Sequence, residues 1–106
     1  MAYIASRVDQ RAISAAVREV EKAFAPQVVR IGHSYGEDWA GYPAIYFRVL
    51  VRDEAAKPAT RLHEEVAKPL SLALRNADAI DKSDLHAYFF FRTVSEQEKL
   101  QDPDWD

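Results

Sequence analysis

The feature that most constrains this chain is a run at residues 44–52 in which apolar side chains alternate strictly with other types. Successive side chains of a strand point to opposite faces of a sheet, so a period of two predicts a β-strand with two different faces. The chain therefore needs a sheet that is covered by an apolar layer on one side and that is open, or covered by a more polar partner, on the other. The apolar face consists of Ile45, Phe47, Val49 and Val51, and the opposite face of Tyr46, Arg48, Leu50 and Arg52.

A helix precedes this strand. Apolar residues recur at intervals of three and four from Ile13 to Phe24, which predicts a helix over about residues 8–24. Ser6 or Asp9 is a suitable N-cap, because a short polar side chain can accept a bond from the first backbone N–H groups.

A short strand at residues 27–33 is predicted next, with Val29 and Ile31 on its apolar face and Val28 and Arg30 on the other. The connection to the strand at 44–52 is short. The two strands are therefore expected to form an antiparallel hairpin.

A second helix is predicted after the polar turn at 53–57, because Pro58 suits a first helical turn. Pro69 interrupts it in sequence, since proline removes a backbone bond and clashes with the preceding turn, so we expect a kink or two shorter helices. Its apolar stripe consists of Leu62, Val66, Leu70, Ala73 and Leu74.

The third strand is expected at residues 86–92, with Ala87, Phe89 and Phe91 on its apolar face. Beyond it, Ser95 followed three residues later by Glu98 has the form of a capping box, which predicts a helix of one or two turns.

Together these elements predict a single α+β domain over residues 1–106, with the order α-β-β-α-β. A strand, a crossover helix and a returning strand form a right-handed unit. We therefore expect the second and third strands to be parallel, both helices to cover one face of a three-stranded sheet, and a short C-terminal helix and tail to follow. The tail, residues 96–106, is acidic, with five carboxylates against Lys99.

The uncovered face of such a sheet combines aromatic and arginine side chains. This combination is typical of protein interfaces, and it also suits base stacking and phosphate contact with single-stranded nucleic acid. A third possibility is that the tail or another local segment covers the face. The predicted interaction surface consists of Trp39, Tyr42, Tyr46, Arg48, Arg52, Tyr88, Phe90 and Arg92.

The net charge of −3 does not favour nucleic acid over protein. The chain has no cysteine and no apolar run long enough to span a membrane, which predicts a soluble cytoplasmic protein without disulfides.

The segment Gly-Glu-Asp-Trp-Ala-Gly-Tyr-Pro, residues 36–43, carries the only cluster that could support chemistry. His33, Glu37 and Asp38 lie within six positions, and with His86 they could hold a metal if the fold brought them together. No two histidines have the spacing of metal ligands and no nucleophile motif surrounds Ser34, so a hairpin turn with solvated carboxylates is the simpler interpretation. We predict no catalytic residue, metal ligand or cofactor.

The chain resembles a group of small uncharacterised bacterial proteins. The likeness is carried by a Gly-Glu-Asp-x-x-Gly-x-Pro-Ala hairpin, here with Gly36, Glu37, Asp38, Gly41 and Pro43, and by a terminal Phe-Arg-x-x-Ser-Glu-Gln. Members of that group are often encoded beside HEPN-type proteins, which implies a toxin–antitoxin-like pair in which this chain is the partner. In the terminal motif, Arg92 is expected to pair with Glu37 or Asp38.

Three functional hypotheses follow. The first is a non-enzymatic interaction module, as a homodimer or as one half of a two-protein pair. The second is a binder of single-stranded nucleic acid. The last is a hydrolase or nucleotidyl-type enzyme centred on Glu37 and Asp38.

Overall fold

The structure, a computed structural model, describes residues 10–56, 59–78 and 86–105. The predicted α+β class is confirmed, and a short helix follows the last strand. Ser6, Asp9 and Pro58 lie outside the described residues. The elements are helix α1 (Gln10–Ala23), strand β1 (Val28–Glu37), strand β2 (Pro43–Val51), helix α2 (Ala59–Asp78), strand β3 (His86–Thr93) and helix α3 (Val94–Leu100), with 3-10 turns at Asp53–Ala56 and Pro103–Trp105.

The three strands form one mixed sheet in the order β1-β2-β3. β1 and β2 are antiparallel, and β2 and β3 are parallel, as the order of elements predicted. Ala44 is paired with His86 at the end of the sheet next to the hairpin loop, and Leu50 is paired with Arg92 near the opposite end. This register decides which residues can meet on the open face.

The core lies between one face of the sheet and helices α1 and α2. β2 supplies its centre, since Ile45, Phe47 and Val49 are completely buried. The apolar stripes of both helices pack on them, so the predicted one-sided core is confirmed for β2 and for both helices. The buried cluster consists of Ile13, Val17, Val20, Val28, Ile31, Ile45, Phe47, Val49, Val51, Val66, Leu70 and Leu74.

The predicted faces of β1 are wrong at its first residues. Val28 is buried, whereas Val29 is 48% exposed. The pairing with β2 is irregular between Val28 and Arg30, so an extra residue lies between two core positions. Val28 and Ile31 therefore both face the helices, although they are three residues apart.

Helix α2 continues through Pro69, so the alternative of two shorter helices is wrong. Val66, Leu70 and Leu74 are all buried. Packing on both sides of Pro69 thus holds the two halves of the helix on the same core, which offsets the lost backbone bond.

The capping box of α3 also lies elsewhere than predicted. Thr93 is the N-cap and Glu96 its reciprocal partner: the Glu96 N–H donates to the Thr93 hydroxyl at 3.2 Å, and the Thr93 N–H to the Glu96 carboxylate at 2.9 Å. Ser95 instead donates its hydroxyl and its backbone N–H to Asp53, in the 3-10 turn after β2. The two Ser95 bonds hold the pKa of Asp53 below its ordinary value. The reciprocal bonds with Thr93 do the same for the pKa of Glu96.

Candidate interaction surface

The hairpin loop is organised by the carboxylate of Asp38. Its Oδ1 accepts backbone N–H bonds from Ala40 and Tyr42, each at 2.9 Å. The Asp38 N–H donates to the Tyr42 carbonyl, and the Gly41 N–H to the Asp38 carbonyl, also at 2.9 Å. The loop proper is therefore only residues 38–42, because Gly36 and Pro43 belong to the strands.

The same carboxylate ties the loop to β3. The Tyr88 hydroxyl donates to Asp38 Oδ2 at 2.7 Å, and His86 Nδ1 lies 3.8 Å from that oxygen. The Tyr88 bond, together with the loop N–H groups and the nearby His86, lowers the pKa of Asp38, although burial acts in the opposite direction. The same bond raises the pKa of Tyr88.

This rigid loop presents two aromatic side chains, Trp39 and Tyr42, which we call the aromatic rim. Trp39 is 95% exposed, and Tyr42 is 55% exposed with its ring stacked on His86 at a centroid distance of 5.4 Å. Gly41 has φ of +87°, a conformation that a side chain would strain, so it is the loop position that requires glycine. The structure thus confirms that the predicted rim residues are exposed.

The open face of the sheet continues from the rim. The Tyr46 ring lies nearly parallel to the rings of Tyr88 and Phe90, at centroid distances of 5.6 and 6.2 Å. Phe90 is 47% exposed. Arg48, beside them, donates to the Ser34 hydroxyl at 3.0 Å. These residues form a partly exposed aromatic patch with one arginine.

The other end of the open face is covered by the C-terminal segment, residues 94–105. Leu50 is 6% exposed although it faces away from the helices, and it lines one cavity together with Val94 and Gln97 of α3. Trp105 is 8% exposed, and its backbone oxygen accepts a bond from Arg30. Among the described residues, the predicted cover by the tail is thus realised at the Leu50 end.

Arg92 is the side chain that fastens this segment. It donates to the Gln97 amide oxygen at 2.8 Å and lies 3.6 Å from the carboxylate of Asp102. Its guanidinium lies 4.4 Å from the centroid of the Trp105 ring, a cation–π contact. Gln97 in turn donates to the Asp102 carbonyl at 2.8 Å.

The predicted pairing of Arg92 with Glu37 or Asp38 is therefore wrong. β2 and β3 are parallel, and the loop lies at the His86 end of β3. Arg92 lies six positions after His86, about 20 Å along the strand, so the guanidinium cannot reach the loop. Arg52 also differs from the prediction, because β2 ends at Val51 and Arg52 forms an ion pair with Glu54 at 3.4 Å.

The four candidate metal ligands are only partly brought together. His86 and Asp38 meet, but His33 lies on the helix side of the sheet, near Tyr35 and Phe47. Burial there lowers the pKa of His33. Residues 10–56, 59–78 and 86–105 contain no group of three acidic, histidine or cysteine side chains that could hold a metal ion.

Sequence patterns missed the residues that cover the face, chiefly Gln97, Asp102 and Trp105. A tryptophan within an acidic tail was a usable signal, since a large apolar side chain among carboxylates needs a place to be buried.

Neither long helix, over its described residues, has an apolar stretch that could span a bilayer. Comparison with protein-family models, with curated proteins and with solved structures finds no match to this chain.

Proposed function

We propose that this chain is a protein-interaction module that binds another protein through the aromatic rim and the adjoining aromatic patch. The observation that carries the proposal is Trp39, 95% exposed on a loop that the Asp38 carboxylate holds in one conformation. Exposed tryptophan and tyrosine on a preorganised surface are the residues on which interface energy concentrates.

The resemblance to bacterial proteins encoded beside HEPN-type proteins names the first partner to test, a HEPN-type protein encoded next to this chain. In such a pair this chain acts as a non-enzymatic, antitoxin-like partner. The rim and the patch offer the HEPN-type protein one continuous aromatic surface.

Titration calorimetry with the purified HEPN-type neighbour tests this function. Trp39→Ala should weaken binding by about 30-fold or more, which corresponds to about 2 kcal/mol for a central aromatic anchor. Leu72→Ala is the matched control, since Leu72 is 54% exposed on α2, behind the sheet. Undetectable binding of the wild type would overturn the choice of partner, and equal effects of the two variants would overturn the choice of surface.

Single-stranded nucleic acid is the second candidate ligand. The near-parallel rings of Tyr46, Tyr88 and Phe90 beside Arg48 favour it, because bases stack on aromatic side chains and arginine contacts phosphate. Arg30 and Arg92, however, are already bonded to the C-terminal segment. Fluorescence anisotropy with a labelled single-stranded RNA at low salt should show steeply salt-dependent binding under this hypothesis, and its absence would remove it.

A further inference from the structure

The first edge of the sheet, β1, is blocked against pairing with another strand. It carries the irregularity between Val28 and Arg30. The carboxylate of Glu21, on α1, accepts a hydrogen bond from the Ile31 backbone N–H at 2.7 Å, and Arg30 is bonded to the backbone of Trp105. A bulge, charged side chains and a covering element are the features by which proteins keep an edge strand from pairing.

Within the described part of the chain, the other edge, β3, carries none of these features before Arg92, which is bonded to the C-terminal segment. Residues 87–91 are Ala-Tyr-Phe-Phe-Phe, without charge, proline or glycine. None of the eight residues of β3 is buried, whereas six of the nine residues of β2 are. Every second residue of β3 turns its backbone N–H and C=O away from β2, and an apolar edge of this kind is a template for another strand.

We infer that this chain forms a homodimer in which β3 pairs antiparallel with β3 of a second copy. The two three-stranded sheets then join into one sheet of six strands. The inference rests on the proposed function, because it names a second copy as one partner of the interaction module. It uses the edge of β3, which includes Tyr88 and Phe90 of the aromatic patch but no residue of the aromatic rim, so a rim variant tests the proposed function separately.

The strand is self-complementary in shape. Antiparallel pairing of a strand with itself is two-fold symmetric, so both copies contribute the same residues. When the pairing is centred on Phe89, Tyr88 of one copy lies opposite Phe90 of the other on the open face, and Ala87 lies opposite Phe91 on the helix face. Aromatic pairs and small-to-large pairs of this kind stabilise antiparallel strands.

The charged ends of the strand do not oppose their own copies. The same register places Arg92 of one copy opposite His86 of the other. The Arg92 guanidinium lies 3.6 Å from the Asp102 carboxylate of its own chain, and His86 Nδ1 lies 3.8 Å from the Asp38 carboxylate of its own chain, so each has an anion beside it. This pairing opposes no two carboxylates and no two arginines, and a second copy of this chain therefore fits the edge.

The test is the mass of the chain in solution, by sedimentation equilibrium and light scattering at about 10 to 100 µM. The measured mass of the wild type should be twice that of one chain, which is 12.1 kDa. Phe90→Lys places a charge from each copy beside the centre of the interface, opposite Tyr88 of the other copy, and should raise the dimer dissociation constant at least about 100-fold. Val29→Lys is the matched control on the blocked edge, because Val29 is 48% and Phe90 is 47% exposed. Circular dichroism should confirm that both variants are folded.

Hydrogen exchange of the wild type gives a readout that needs no variant. Dilution from dimer to monomer should accelerate exchange at alternate amides of β3 and leave those of β1 unchanged. A monomeric wild type at 100 µM, or equal dissociation constants for the two lysine variants, would overturn the inference.

Trp39→Ala should leave the dimer intact. Its binding result with the HEPN-type protein then tests the proposed function independently.

Discussion

At the residue scale, one carboxylate determines the geometry of the candidate surface. Asp38 accepts bonds from two loop N–H groups and from the Tyr88 hydroxyl, so it fixes the loop and joins it to β3. The sequence predicts that Asp38 belongs to a turn, since aspartate commonly bonds to backbone groups nearby. It does not predict the Tyr88 bond, because that contact depends on the pairing of β2 with β3, fifty residues away along the chain.

Acidification should therefore destabilise the wild type more than Asp38→Asn. The folded pKa of Asp38 lies below its ordinary value of 3.8. A lowered folded pKa contributes stability that is present above the unfolded pKa and is lost as the pH falls through the folded value. Urea unfolding from pH 7 to pH 2 should show the two curves converging below about pH 4. Tyr88→Phe should weaken the pH dependence in part, and parallel curves for wild type and Asp38→Asn would contradict this role.

At the scale of elements, β1 separates what periodicity can predict from what it cannot. The predicted apolar stripes of both helices and the predicted faces of β2 are correct, because each of these patterns has a single clear period. Val28 and Val29 are both apolar, so an extra residue between two core positions leaves no trace in the sequence pattern. Only the pairing with β2 decides which valine is buried.

The two valines give a matched test of this irregularity. Val28→Ala should lower the free energy of unfolding by about 2 kcal/mol, because it removes two buried methyl groups and leaves a cavity. Val29→Ala should change it by less than about 0.5 kcal/mol, as most exposed substitutions do. Urea denaturation of both variants measures the difference. A larger loss of stability for Val29→Ala than for Val28→Ala would instead support the predicted faces of β1, with Val29 in the core.

The start of α3 can be tested in the same way. Thr93→Ala removes the N-cap hydroxyl that the Glu96 N–H donates to, and should cost about 1 kcal/mol. Glu98→Ala, at the position that the sequence pattern assigned to the box, should cost less than about 0.5 kcal/mol. Equal losses in the two variants would contradict the observed cap. The sequence pattern assigned the box to Ser95 and Glu98, but β3 ends at Thr93, so the helix begins two residues earlier and Thr93 with Glu96 forms the box.

At the scale of the whole molecule, the open face is divided between an internal and an external surface. Arg92, Gln97 and Trp105 close the Leu50 end, while the rim and Phe90 of the aromatic patch are exposed toward the loop end. The sequence predicts that the face exists, because the side chains of β2 and β3 alternate between the helix side and the open side of the sheet. It does not predict how much of the face the tail covers, since that depends on contacts between residues far apart in the chain, such as Arg30 with Trp105.

The two tryptophans report on this division, because each lies in one of the two regions. Trp39 is 95% and Trp105 is 8% exposed, and the chain has no third tryptophan. Trp39→Phe leaves only Trp105, whose emission should lie at shorter wavelength and resist quenching by acrylamide. Trp105→Phe leaves only Trp39, which should emit at longer wavelength and be quenched freely. Trp105→Ala should in addition lower the free energy of unfolding by about 3 kcal/mol, because the buried indole ring and its contact with Arg92 are lost. Equal quenching of the two single-tryptophan variants would mean that the C-terminal segment does not lie on the sheet, and the open face would then extend across all three strands.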